Sequence, residues 1–307
     1  MLEELADFRL ATPPPATLEW AVRMLGGGKL VAVDALRGGI SHGNHALTLE
    51  GTGGTRRAVL RRWVRADWQI TDPDFSPARE IATYELLAST SIAAPRLLAA
   101  DPDGIECDVP ALLLTLLPGS RVPASALDSA GLEQLGTQLV AIHSIDRARA
   151  GSSVPPYSPY YEIDDLSVPD WSADPTIWRR AFALAAQEPR ASEPLFVHRD
   201  YHPGNVLWTA GRLSSVVDWT SASFGPPEVD LAHMRANLAM LGRPGAANEF
   251  LAFYRRAAGA TEPYDRSWDL RMAIDFLPEL PFGELSGAAL PRLEEFVAAA
   301  VAALTPA

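Results

Sequence analysis

Near Pro118-Gly119 the chain changes its hydrophobic period, and that change limits the folds open to it. Before this point, short apolar segments alternate with polar residues and glycine-rich turns. Leu30 to Leu36, His45 to Glu50 and Arg57 to Val64 read as three strands, joined by RGGISHGN and by the hairpin signal GTGGT. Pro77 to Ser89 reads as a helix, with Pro77 in its first turn and Ile81, Leu86 and Leu87 facing inward. Pro95–Ala100 and Pro110–Leu117 supply two more strands, and residues 1–28 form a helical lead-in broken at Pro13–Pro15. After about residue 120 the apolar spacing is helical, over Ser125 to Ile145, Thr176 to Gln187, 228–241, 245–258, 266–280 and 290–304. The expectation is an α+β chain with two parts, 1–117 and 118–307. The first is an antiparallel sheet plus a helix, the second larger and mainly helical.

Bulk properties exclude several classes. Hydrophobic residues make up 48% of 307, enough for a sizeable core. The net charge of −12 argues against nucleic acid as a main partner, since phosphate backbones need a basic surface. A single cysteine, Cys107, permits no internal disulfide and no cysteine-based metal site, and it fits a reducing cytoplasm. The N-terminus lacks a signal-peptide pattern, and the longest apolar runs are too short to span a membrane. No protein partner is evident.

Within the helical part, LFVHRDYHPGNVLW stands apart, followed by LSSVVDWT. The order is Asp200, then Asn205, then Asp218 after a short strand. One carboxylate can orient a hydroxyl and accept its proton, while an amide oxygen and a second carboxylate can hold Mg²⁺ beside phosphates. This H-x-D-x-x-x-x-N spacing is the catalytic-loop form of kinases. A lone Asp in a loop is usually a turn or cap residue; three such groups at these spacings, with apolar flanks, are not. Asp200 is the candidate base, and Asn205 and Asp218 are the candidate metal ligands. His198 reads as structural, holding the loop through hydrogen bonds.

The residues HRD at 198–200, PGN at 203–205, Asp218-Trp219, and GPPEVDLA ending near Asp230 resemble the aminoglycoside phosphotransferase and choline kinase family. The resemblance covers about residues 30 to 285 and is most specific over 195–233. It implies a protein-kinase-like fold of two lobes, with ATP or GTP and Mg²⁺ as cofactors. The activity it implies is γ-phosphoryl transfer to a hydroxyl of a small acceptor, such as an aminoglycoside or other antibiotic. It gives Asp230 the task of supporting the catalytic loop.

It also implies nucleotide contacts in the first part. Gly39, Ser41 and Gly43 of the glycine-rich turn are the candidates for phosphate, although a bare hairpin explains such a turn equally well. A lysine is usual on the third strand; here Arg61 stands in its place, and Lys29 is the only lysine in the chain. Arg61 would pair with Glu80, with Glu85 as the competitor. Main-chain groups of Thr115, Leu116 and Leu117 would read the base. Acceptor candidates lie in the irregular segment VPPYSPYYEIDDLSVPDW and the last helices: Glu162, Asp164, Asp165, Tyr160, Tyr161, Asp275 and Glu279, with Asp170, Trp171, Asp174 and Glu284 nearby. Acidic groups beside aromatic faces suit a cationic acceptor; a solvated acidic loop packed by its own aromatics is the competing reading. Two other functions stay open: a metabolic kinase for choline, an amino alcohol, homoserine or a sugar, and a nucleotide-binding pseudokinase.

Overall fold

A computed structural model describes residues 8–37, 41–65, 75–149, 154–190, 192–278 and 287–305. The chain divides into two compact units, Met1–Pro118 and Gly119–Ala307. The fold is α+β, with an antiparallel sheet in the first unit and mostly helices in the second.

The first unit contains α1 (Pro15–Met24), β1 (Lys29–Ala35), β2 (Gly43–Gly51), β3 (Gly54–Arg62), α2 (Pro77–Ala88), β4 (Leu97–Asp101) and β5 (Ala111–Thr115). The strands form one sheet in the order β1-β2-β3-β5-β4, all pairs antiparallel. Alternation along the strands puts Leu47, Leu49, Leu60 and Leu113 into a core closed by Trp20 and Ala21 of α1. Cys107 is buried in that core, where desolvation pushes its thiol up to about 12 and disfavours the thiolate. Helix α2 starts as its sequence dictates: the Ser76 side chain accepts from the Arg79 N–H at 3.2 Å and Pro77 opens the first turn.

In the second unit α3 (Ser129–His143) and α4 (Pro175–Ala185) precede a set of short strands: β6 (Leu195–Val197), β7 (Val206–Thr209), β8 (Arg212–Val216) and β9 (Ser223–Gly225). Among the described residues four helices follow: α5 (Glu228–Leu241), α6 (Ala246–Ala258), α7 (Ser267–Asp275) and α8 (Ala289–Leu304). The main core joins Trp178 and Ala181 of α4 to Leu270 and Ile274 of α7 and to Leu293 and Val297 of α8. The expected helix 266–280 is shorter, ending at Asp275. No helix among the described residues is long and apolar enough to cross a membrane.

Candidate active site

The loop bearing Asp200 leaves β6, which pairs with β9 from Leu195↔Gly225 to Val197↔Ser223. The chain returns through the β7–β8 hairpin, whose turn residues Ala210 and Gly211 have φ of 49° and 74°. That left-handed pair suits the twist of a tight hairpin. Val217 N–H then donates to the Asn205 carbonyl at 2.9 Å, which brings Asp218 alongside the loop.

Besides Ala210, two non-glycine residues adopt the left-handed conformation, Arg199 at φ 69° and Asp218 at φ 65°. Such strain persists where surrounding contacts over-determine it, and it clusters at functional sites. Asp230, in the first turn of α5, supplies the contacts at Arg199. Its carboxylate accepts the backbone N–H of His198 at 2.8 Å and of Arg199 at 2.7 Å, and lies 3.0 Å from His143 Nε2. Burial alone would raise the Asp230 carboxyl. The His143 hydrogen bond and neighbouring histidines outweigh burial and hold it below the usual carboxylate range.

His198 is fully buried, and its ring links the two halves of the loop. Nδ1 accepts the Asp200 N–H at 3.2 Å, and Nε2 donates to the Val217 carbonyl at 3.0 Å. Those partners require the neutral tautomer with its proton on Nε2. Burial lowers its pKa in the same sense.

The Asp200 carboxylate is held on both oxygens, with 39% of the side chain exposed. Oδ2 accepts from Asn205 Nδ2 at 2.7 Å, and the same amide donates to the Asp200 carbonyl at 3.0 Å. Oδ1 lies 3.2 Å from His233 Nε2 and 3.6 Å from His202 Nε2. Because its nitrogen is committed to Asp200, Asn205 has its amide oxygen left to meet a cation. Asp218 adds a half-buried carboxylate that accepts from Thr220 Oγ1 at 3.1 Å. An amide oxygen and a carboxylate are hard donors that fit Mg²⁺, which takes its remaining ligands from water and phosphates.

His233 escaped the sequence reading. The available signal was its spacing of three from Asp230, which puts both side chains on one face of α5. Asp230 thus binds the loop's backbone while His233 reaches its Asp200 side chain. Burial pushes His233 down to about 4. A histidine whose folded pKa is lowered takes up its proton more readily in the unfolded chain, so stability falls as pH drops below the unfolded value near 6.5. For His233 the loss reaches about 2 kcal/mol at pH 5, with His198 adding in the same direction. Melting curves between pH 7.5 and 5 are expected to show this decline, and His233→Phe to flatten part of it.

The acceptor candidates fare unevenly. Arg199 places its guanidinium 4.0 Å from the Tyr160 ring centroid and 5.1 Å from that of Tyr157, and donates to the Ser158 carbonyl at 2.8 Å. One side of the Tyr160 ring therefore already carries a cation of this chain. Asp174 caps α4 by accepting from Thr176 N–H at 3.0 Å, and Trp171 packs edge-on against Trp178. Glu162 and Asp164 are exposed, and Tyr161 is half-buried. The Asp165 side chain and the whole of Glu279 and Glu284 lie outside the described residues. Asp275 is half-buried and electrostatically coupled to Tyr157, and its neighbour Phe276 packs against His233 with centroids 5.0 Å apart. Asp275 thus lies among the residues packed around the Asp200 loop.

In the first unit, Arg61 pairs with Glu80 of α2 at 2.8 Å, both side chains buried, while Glu85 is exposed. Arg61 Nη1 also donates to Asn44 Oδ1 at 3.3 Å, and Nη2 lies 3.0 Å from His42 Nδ1. Arg62 points to the opposite face and pairs with Asp108. Of the turn candidates, Gly39 lies outside the described residues, Gly43 is within β2 paired with Arg62, and Ser41 Oγ is 2.7 Å from His42 Nδ1. Thr115 is committed to the sheet, its N–H donating to the Arg96 carbonyl at 2.9 Å, so Leu116 and Leu117 are the main-chain candidates beyond it.

A profile described as the phosphotransferase enzyme family matches residues 36–269. The chain belongs to that family. No curated protein matches it significantly. Among solved structures it resembles a macrolide 2'-phosphotransferase from Brachybacterium faecium, at 18% identity and TM-score 0.58, over 96% of this chain and 100% of that one. It also resembles a thermostable mutant of aminoglycoside phosphotransferase APH(4)-Ia in complex with ADP and hygromycin B, at 18% identity and TM-score 0.61, covering 94% and 99%. A third is aminoglycoside 2'-phosphotransferase-IIIa in its GDP complex, at 16% identity and TM-score 0.64, covering 92% and 99%. At these identities the structural likeness establishes the fold of this phosphotransferase.

Proposed function

We propose that this phosphotransferase moves the γ-phosphoryl group of ATP or GTP to a hydroxyl of a small acceptor. The observation that carries this reading is the Asp200 carboxylate. It is partly exposed and fixed by Asn205 on one oxygen and approached by His233 on the other. Phosphoryl transfer passes through a loose transition state, so positioning matters more than basicity. Asp200 would orient the acceptor O–H so that its oxygen attacks phosphorus in line. As the bond to the β–γ bridging oxygen breaks, the nucleoside diphosphate leaves with that electron pair, and Asp200 takes the hydroxyl proton late.

Asn205 and Asp218 would hold Mg²⁺, which when bound neutralises charge on the phosphates. In this reading the sheet-containing part, up to about residue 117, covers the nucleotide, with Arg61 and the glycine-rich turn toward the phosphates and the chain at Leu116–Leu117 toward the base. The remainder carries catalysis and the acceptor. A reaction that consumes ATP or GTP suits the cytoplasm.

Antibiotics head the acceptor classes, because relatives of this fold are named for macrolide and aminoglycoside phosphorylation. Asp275 is the favoured acceptor contact, through its place beside Tyr157 and the His233–Phe276 pair. An ADP- and GDP-release screen over aminoglycosides, macrolides, choline and small sugars tests the function. At least one acceptor is expected to raise turnover above slow hydrolysis. Asp275→Asn is expected to raise KM for a cationic acceptor about 10-fold with nucleotide KM unchanged, the usual scale for a charge-assisted contact. Nucleotide binding with no turnover on any acceptor would favour a pseudokinase instead.

A further inference from the structure

We propose that His42 and Asn44 are positioning residues for Arg61, and that with Glu80 they aim its guanidinium at the nucleotide phosphates. This rests on the phosphotransferase reading above. A lysine at this strand position would present a compact ammonium with rotatable donors, which needs little orientation. A guanidinium donates only in its own plane, so its usefulness depends on how that plane is set. Here each of its three nitrogens has a separate partner: Nε with Glu80 on α2, Nη1 with Asn44 on β2, and Nη2 with His42 before β2. Three partners on two segments, α2 and the start of β2, define a plane.

The anchors are themselves fixed. Asn44 lies directly across the sheet from Arg61 in the β2–β3 register. Glu80 is fully buried and also accepts from Tyr84 Oη at 3.2 Å. The His42 ring stands edge-on to Trp63 with centroids 4.5 Å apart and lies 5.2 Å from Phe75. Ser41 Oγ approaches the same Nδ1 as Arg61 does, so this nitrogen serves as the acceptor and the ring carries its proton on Nε2. His42 therefore couples the end of the glycine-rich turn to the strand arginine. The replacement of lysine by arginine comes with its own supporting residues.

The test is calorimetric titration of Mg-ATP and Mg-GTP into the full chain and its variants. His42→Phe keeps a ring against Trp63 and Phe75 and removes the acceptor. His42→Asn places an amide oxygen near the position of Nδ1. His42→Phe is expected to weaken nucleotide binding about 10-fold, the scale of one charge-assisted hydrogen bond, and His42→Asn to recover most of that loss. In an Arg61→Lys background, His42→Phe is expected to add no further loss, because its effect acts through the guanidinium. Melting curves without nucleotide establish that each variant is folded.

An equal loss in both backgrounds, or no loss in either, would overturn the positioning role. Failure of the unmodified chain to bind either nucleotide would overturn the phosphotransferase reading as well. Binding by the unmodified chain with an ineffective His42→Phe would overturn this inference alone.

Discussion

Replacing Asp200 with alanine is expected to lower kcat by about 10²- to 10⁴-fold, the usual contribution of a positioned general base. Nucleotide affinity and melting temperature are expected to change little. The side chain is partly exposed, so its removal leaves no large buried void, and its partners Asn205 and His233 are held by other elements. The effect should fall on kcat and kcat/KM together, because the contact with the acceptor oxygen matters most as that oxygen attacks. Asp200→Asn separates two contributions: it keeps the size and one oxygen but accepts a proton poorly. Steady-state ADP release and calorimetric titration of nucleotide check both variants. A folded Asp200→Ala protein with undiminished kcat would remove Asp200 from its role.

Asp230→Ala is the change expected to cost most stability, roughly 3–5 kcal/mol, as for other broken buried charge networks. It leaves the buried N–H groups of His198 and Arg199 and the ring of His143 without their shared acceptor. Each orphaned buried group carries a penalty of about 1–3 kcal/mol. The left-handed Arg199 loses the contact that holds it, so kcat should fall in whatever fraction remains folded.

Protonation has a milder version of the same effect. The Asp230 carboxyl is held below its unfolded value near 4. Its contribution is therefore complete above that pH and is lost as pH falls through the lower folded value. This acid loss lies below the window in which His198 and His233 act. Melting temperature against pH, for the unmodified chain and for Asp230→Asn, distinguishes the two windows.

The candidate catalytic groups were legible because they lie close together in sequence. Asp200, Asn205 and Asp218 sit on one loop and the hairpin that follows it, so their spacing nearly dictates their geometry. The support role of His198 was legible for the same reason, its two partners being Asp200 and Val217. Other contacts depend on which faces pack together. Glu80 and Glu85 are both acidic residues of α2, and only the packing of that helix decides that Glu80 is buried on Arg61 while Glu85 is exposed.

His233 had only a faint signal, its spacing of three from Asp230. That spacing gains meaning once Asp230 pins the helix to the Asp200 loop. At Tyr160, composition reports an aromatic ring, and only the packing shows that Arg199 lies against it.

From sequence alone came the phosphotransferase family and the order of elements. Hydrophobic period sets strand and helix, and a base with two oxygen ligands at fixed spacing has few other uses. The tertiary structure decided how those groups are held: Arg61 by His42, Asn44 and Glu80, and Asp200 by Asn205 beside His233. Such contacts link residues that chain spacing leaves unrelated. Their distances and burial exist only once sheet and helices have packed, and burial is what gives a hydrogen bond its strength and an unpaired group its cost.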